Sequence, residues 1–194
     1  MTIDRQAAAR AIRDFLCAIG RDPAHDPELT LTPERVTEAF ADDLLGGYAV
    51  DVPRLLAEAA PLRDAGGGLV APGPVIVHDI AVTTVCPHHL MPSLGAASVG
   101  YVPGDRICGL GTLAALVDAF ARRLSLQEQI GANVVRALVE HAGAKGAVCR
   151  LKLRHACLSA RGQRQAAASV ETIATFGDVS ALGALTGGAS GSPA

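Results

Sequence analysis

Two runs rich in Val, Ile, Thr and small residues, Val75–Val85 and Leu94–Val102, flank the stretch Cys86-Pro87-His88-His89-Leu90-Met91-Pro92. Each run reads as a strand, and Pro103-Gly104-Asp105 closes the second with a turn. So short a connection makes the two strands neighbours, and it carries the first candidate chemistry. Cys86 and His89 stand three positions apart. A thiol and an imidazole at that spacing close on one metal ion when the backbone turns between them. Pro87 favours such a turn, because it fixes its own φ and restricts its neighbour. His88 would then point elsewhere, free to move protons. A zinc site wants at least three protein ligands, so one more must come from a distant segment.

The remaining elements follow from periodicity. Asp4 to Ile19 reads as an amphipathic helix stopped by Gly20. Thr32-Pro33 begins a second helix that runs through Val36, Phe40 and Leu44 to Gly46-Gly47, and Val52 to Ala59 adds a short third. Asp64 to Pro74 reads as a loop. Leu113, Val117, Phe120 and Leu124 mark one further helix, Leu110–Leu124. Ile130, Val134 and Leu138 mark another, opened by Ser125-Leu126-Gln127-Glu128. That opening has the capping-box pattern with Glu128 at N3, which by itself accounts for a Glu there. Ala147–Ser159 and Ala166–Phe176 read as strands. Gly177–Ala194 is small, uncharged and Gly/Ser/Ala-rich, so a disordered tail is expected. The order strand–strand–helix–helix–strand–strand predicts an α+β domain, with an antiparallel sheet carrying the helix pair on one face. The expected division is an N-terminal helical region over 1–62, a catalytic domain over 63–177 and a tail over 178–194.

Strand parity suggests the third ligand. In Ala147–Arg161 the odd positions share a face, which groups His155, Cys157 and, if the strand persists, Arg161. Cys157 would complete a Cys86/His89/Cys157 set with one coordination position open, the catalytic zinc arrangement in which the pKa of water falls toward neutrality. An isolated His-x-Cys on a strand is more often part of a core than of a metal site. Cys149 lies too far up the strand to join, while Cys17 and Cys108 read as small buried hydrophobes. Arg35, in the first turn of its helix, reads as a solvated charge.

Composition narrows the function class. A formal charge of −2 gives no electrostatic case for nucleic acid or an anionic membrane. Five cysteines without framework spacing argue for a reducing compartment. With no apolar leader in Met1–Arg13 and no membrane-length apolar run, the expected location is the cytoplasm.

Taken together, the motifs resemble those of the GTP cyclohydrolase I family. Thr84-Val85-Cys86-Pro87-His88-His89-Leu90-Met91-Pro92 is similar to its zinc motif, and Arg123-Leu124-Ser125-Leu126-Gln127-Glu128 to its second helix start. Arg154-His155-Ala156-Cys157 with Ala160-Arg161-Gly162 resembles its second active-site strand, and Thr32-Pro33-Glu34-Arg35-Val36 its N-terminal helix signature. The resemblance implies the tunnelling fold, closed into a barrel by a ring of subunits, typically a homodecamer of two pentamers with sites at subunit interfaces. It implies zinc on Cys86, His89 and Cys157, activating water for attack on C8 of a guanine. His88 and His155 would exchange protons as the imidazole ring opens and formate leaves. Glu128, with Gln127 beside it, would hold the guanine N–H edge, and Arg161 and Arg35 would meet phosphate. The family reaction converts GTP to 7,8-dihydroneopterin triphosphate.

This chain departs from the family pattern in three places. Where the family shows Cys-Glu-His-His, it has Cys86-Pro87-His88-His89. Where the family shows Gly-Leu-Ser-Lys and an Arg three places on, it has Gly109-Leu110-Gly111-Thr112 and Ala115. Hydrogen bonds to charged groups contribute about 1.5–3 kcal/mol each, so two lost cations weaken triphosphate binding roughly a hundred- to ten-thousandfold. The charged C-terminal helix of the family is also absent from the sequence. Ring-opening on a purine-type substrate lacking the triphosphate (a nucleoside, monophosphate or base) is therefore the alternative, unless Arg122, Arg106 or Arg164 of a neighbouring subunit replaces the cations. A non-catalytic zinc-containing homologue is a further alternative. A cysteine nucleophile, as in the nitrile-reducing relatives of this fold, accords less well with a Cys–His–Cys ligand set.

Overall fold

In the computed structural model, which describes residues 3–61 and 73–186, the chain opens with Asp4 as an N-cap. Its carboxylate accepts from the Ala7 N–H at 2.9 Å and starts α1 (Arg5–Ala18). No residue of α1 is buried, and Phe15, Ile19 and even Cys17 face solvent, contrary to the expected burial of that thiol. The second helix, α2 (Thr32–Glu38), has Pro33 in its first turn and widens into a π-turn over Ala39–Leu44. Asp51 caps α3 (Val52–Ala57) by accepting from the Arg54 N–H at 3.1 Å. A two-residue strand, β1 (Ala60–Pro61), follows.

The main sheet holds four antiparallel strands. They are β2 (Val75–Val85), β3 (Pro92–Val102), β5 (Gly146–His155) and β6 (Val170–Gly177), in the order β2-β3-β5-β6. Between β3 and β5 the chain makes β4 (Arg106–Ile107), which pairs with β1, then α4 (Leu110–Ala121) and α5 (Gln127–Ala142). Gly143 ends α5 at φ +71°, a left-handed cap that favours glycine. Both long helices lie on one face of the sheet, as the element order predicts.

That face forms the core. Leu113, Leu116 and Val117 of α4, with Ile130, Val134 and Leu138 of α5, pack on Val99, Tyr101, Leu151 and Leu153 of the sheet, all essentially inaccessible. Each such side chain contributes about 1.5–3 kcal/mol on burial. Leu56 of α3 is in the same cluster, so the third helix belongs to the main core; the expected boundary at 62/63 lies outside the described residues. Gly95 is required by close approach, because a Cβ there would meet the Lys152 carbonyl oxygen of β5 at 2.1 Å.

The expected tail is partly structured. After β6, a 3-10 turn (Ser180–Leu182) leads into one helical turn, α7 (Gly183–Thr186). Leu182 and Leu185 are buried beneath it, against Val148, Ile76 and Val102 on the opposite face of the sheet. Average composition concealed two leucines at helical spacing, which suffice to dock the segment. Residues 187–194 and most of the expected 64–74 loop lie outside the described residues.

Candidate metal centre and cavity

The connection between β2 and β3 is closed by its own backbone. Cys86 N–H donates to the Met91 carbonyl and Leu90 N–H to the Cys86 carbonyl, each at 3.0 Å. The turn forces Leu90 to φ +52°, a left-handed conformation that costs a non-glycine residue about 1 kcal/mol or more. This strain sits beside His89, in the segment that brings Cys86 and His89 together.

Cys157 arrives by a different route from the one parity suggests. The extended strand stops at His155, and Ala156–Ser159 wind into a single helical turn, α6. Ser159 Oγ donates back to the His155 carbonyl at 3.1 Å. The turn folds Cys157 over the end of the sheet, so that candidate ligand atoms of Cys86, His89 and Cys157 all lie within 4.8 Å of one another. Two thiols and one imidazole fit zinc in donor type, and three protein ligands leave room for another. Burial first, and then the neighbouring Cys86, hold the Cys157 thiol above its ordinary pKa. An adjacent dication reverses that preference, since metal binding deprotonates coordinating thiols. At the edge of the cluster, the Arg161 guanidinium donates to His89 Nε2 at 3.0 Å.

His155 ends β5 in a row that crosses the sheet. Thr84 pairs with Ser93 in register, and Ser93 with His155. Ser93 Oγ lies 2.9 Å from His155 Nδ1, and Gln127 Oε1 lies 2.8 Å from His155 Nε2. Gln127, from the first turn of α5, is 3% exposed. Its amide nitrogen donates to the Leu151 carbonyl (3.0 Å), the Val170 carbonyl (3.1 Å) and Thr172 Oγ1 (3.1 Å). Carbonyls only accept, so the amide orientation is determined and Oε1 must face His155. The Nε2 of His155 therefore carries the hydrogen, and its Nδ1 accepts from Ser93 when the ring is neutral.

The helix start differs from the expected capping box. The N-cap is Leu126, and Gln129 Oε1 accepts from the Leu126 N–H at 3.1 Å. Gln129 thus takes the N3 place, and the capping explanation for Glu128 falls away. Glu128 is exposed at the rim of a cavity of about 240 Å³, which Thr84, Cys86, His88, His155 and Cys157 also line. The His88 ring is nearly perpendicular to that of His89, with centroids 6.4 Å apart, and it is not in the ligand cluster.

The expected phosphate residues are less concentrated. Arg35 is exposed on α2 and does not line this cavity, and neither does any other Arg or Lys among the described residues. Gly111 and Thr112 stand in the first turn of α4, where Gly109 provides no side-chain cap. Arg122 is committed to the Asp42 and Asp43 carbonyls, and Arg106 to the Ala59 carbonyl at 2.9 Å. Sequence reading missed Ser93 and Thr84. Their signal was parity: each is a hydroxyl at an inward-facing position near the metal-loop end of its strand.

Comparison with known proteins adds the following. A family model described as GTP cyclohydrolase I matches residues 8–185. GTP cyclohydrolase 1 of Leifsonia xyli subsp. xyli is 35% identical, over 90% of this chain and 88% of its own length. The Thermobifida fusca protein of that name is 38% identical over 90% of this chain and 81% of its own length. The Bifidobacterium longum protein is 36% identical over 91% and 84% respectively. Among solved structures, apo archaeosine synthase QueF-Like aligns with 57% of this chain and 99% of its own at a TM-score of 0.45 and 18% identity.

Proposed function

This chain belongs to the GTP cyclohydrolase I family, and we propose that it hydrolytically opens the imidazole ring of a guanine nucleotide, releasing formate, as in the conversion of GTP to 7,8-dihydroneopterin triphosphate. The observation that carries this reading is the meeting of Cys86, His89 and Cys157 within 4.8 Å, with Cys86 and Cys157 lining a cavity shared with His88, His155 and Glu128. Zinc held by those three residues supplies Lewis acidity for activating water near neutral pH.

The chain's own residues divide the remaining work. Glu128 accepts from the N–H edge of the guanine, a charge-assisted bond. His88 moves protons to and from the ring nitrogens and the leaving formyl group, and His155 does so by releasing its Ser93 bond at Nδ1, since both of its ring nitrogens are engaged in the resting site. Gln127, its amide engaged by protein groups, orients His155 rather than touching substrate. Arg161 and Arg35 are the candidate phosphate contacts, Arg35 reaching a site only across a subunit boundary. Free edges on β2 and β6, and the exposed Phe15 and Ile19 of α1, are consistent with a barrel closed between copies and a homodecamer of two pentamers. Mass measurement of the native assembly tests that. Among the described residues no helix is long and apolar enough to cross a membrane, and the cytoplasm is the proposed location.

A second reading keeps the ring opening and removes the triphosphate. It is favoured by Gly111, Thr112 and Ala115 at the start of α4 and by a cavity to which, among the described residues, no Arg or Lys contributes. A turnover screen on GTP, GMP, guanosine and guanine, following formate and pterin fluorescence, tests both. Efficient dihydroneopterin triphosphate formation at low GTP rejects the second reading, and no product from any of the four rejects the first as well.

A further inference from the structure

Thr84 sits in the interior of the molecule at 3% exposure, and its Oγ1 is the buried side-chain oxygen that finds no hydrogen-bond partner among the described residues. Its cross-strand neighbour Ser93 turns its hydroxyl to His155 Nδ1 instead, and no Thr84–Ser93 side-chain bond forms. A buried hydroxyl without a partner destabilises a fold, and Val would fill the same space on a strand without that penalty. Thr84 also borders the cavity that holds the Cys86–Cys157 pair. Its Oγ1 is closed off in the rotamer observed, and rotation of χ1 to another staggered well brings the hydroxyl to the cavity side.

Position decides what the hydroxyl can meet. Cys86 is two residues further along the chain, about 7 Å at strand spacing. His155 is two strands across the same row, about 10 Å away. Thr84 therefore stands at the metal-ligand end of the cavity floor, while Glu128 stands at its exposed rim. If Glu128 holds the pyrimidine edge of a purine, the five-membered ring is the part presented to Thr84. Of the heteroatoms there, N9 carries the sugar, which leaves N7 as the in-plane acceptor. We propose that Thr84 is a substrate-contacting residue whose hydroxyl donates a hydrogen bond to N7 of the purine. The inference rests on the guanine reading above and adds to it a specificity contact for the ring that is opened.

The test uses the zinc-replete assembled protein, with Thr84→Val and Thr84→Ser. The Val variant should lower kcat/KM about tenfold on whichever of GTP, GMP or guanosine the wild type uses, about 1.4 kcal/mol. The Ser variant should retain it. Thr84→Val should melt no lower than wild type, since no protein partner is lost. The 7-deaza analogue of the same substrate, in which carbon replaces N7, should inhibit wild type and Thr84→Val with equal Ki. Unchanged kcat/KM in Thr84→Val, a lowered melting temperature, or a Ki weakened in parallel each overturns the Thr84–N7 contact while leaving the guanine reading intact. Absence of turnover by the wild type on all three substrates overturns both.

Discussion

Gln127 and His155 are joined by a 2.8 Å hydrogen bond whose direction is determined by the rest of the Gln127 amide. With its nitrogen on the Leu151 and Val170 carbonyls, Gln127 offers His155 an acceptor and nothing else. Ser93 takes the other ring nitrogen, so the imidazole is held at both ends.

Replacing Gln127 by Leu takes the partner from the buried Leu151 carbonyl, the partly buried Val170 carbonyl, the Thr172 hydroxyl and the His155 N–H. The expected loss of stability is about 1–3 kcal/mol. Activity should fall chiefly in kcat, with KM little changed, because the substituted side chain does not touch substrate. Denaturant titration and steady-state kinetics on the same preparation check both halves. Nitrogen NMR of the histidine ring should show the Nε2–H tautomer in the wild type.

Cys157→Ser should abolish stoichiometric zinc binding. Elemental analysis of the purified variant should find well under one zinc per chain. Full occupancy would show that Cys157 is not a ligand.

Glu128→Gln and Gln129→Ala should separate substrate binding from helix capping. The first removes a charge at the cavity rim and should weaken guanine binding about tenfold with no change in melting, on the scale of a charged hydrogen bond. The second removes the acceptor for the Leu126 N–H and should cost about 0.5–1 kcal/mol of stability, with binding unaffected. Calorimetric titration and thermal melting distinguish them.

Leu185→Ala should destabilise the protein by about 2–5 kcal/mol despite lying in a Gly/Ala-rich segment near the C-terminus. Leu182→Ala should behave alike. An effect below half of that on chemical denaturation would mean that the segment docks only weakly.

Metal-free protein should lose stability in alkali. Burial pushes the Cys149 thiol up to about 12, and the Cys157 thiol is raised as well. The unfolded chain releases these protons near the ordinary thiol value, and the folded chain keeps them. Between those limits the folded state binds more protons, so stability falls as pH rises. Cys149, the fully buried group, removes about 1.4 kcal/mol per pH unit between the ordinary thiol value and about 12, and Cys157 acts in the same direction. Melting temperatures of chelator-treated protein should be level below about pH 8 and decline above it.

Much of the site was legible along the chain because its signals are local. The β2 and β3 strands and their Cys86–His89 connection followed from β-branched runs, and the α4 and α5 stripes followed from helical spacing. Cys157 was found for an incomplete reason: parity assumes that an extended strand persists, and the strand ends at His155. Ser125 looked like a cap, and a shift of one residue to Leu126 changed what Glu128 is available for. The small-residue segment after β6 concealed Leu182 and Leu185, whose burial depends on a sheet face formed by residues far away.

Local pattern by itself determined the order of elements, the layer arrangement and the donor types for a metal, since these depend on neighbours within one or two turns of chain. Only the tertiary structure decided which polar groups are engaged and which are open. The partners of His155 are 62 and 28 residues away in Ser93 and Gln127, whereas the hydroxyl of Thr84 meets none among the described residues. Hydrogen-bond saturation is a property of neighbours in space, and no spacing along the chain encodes it.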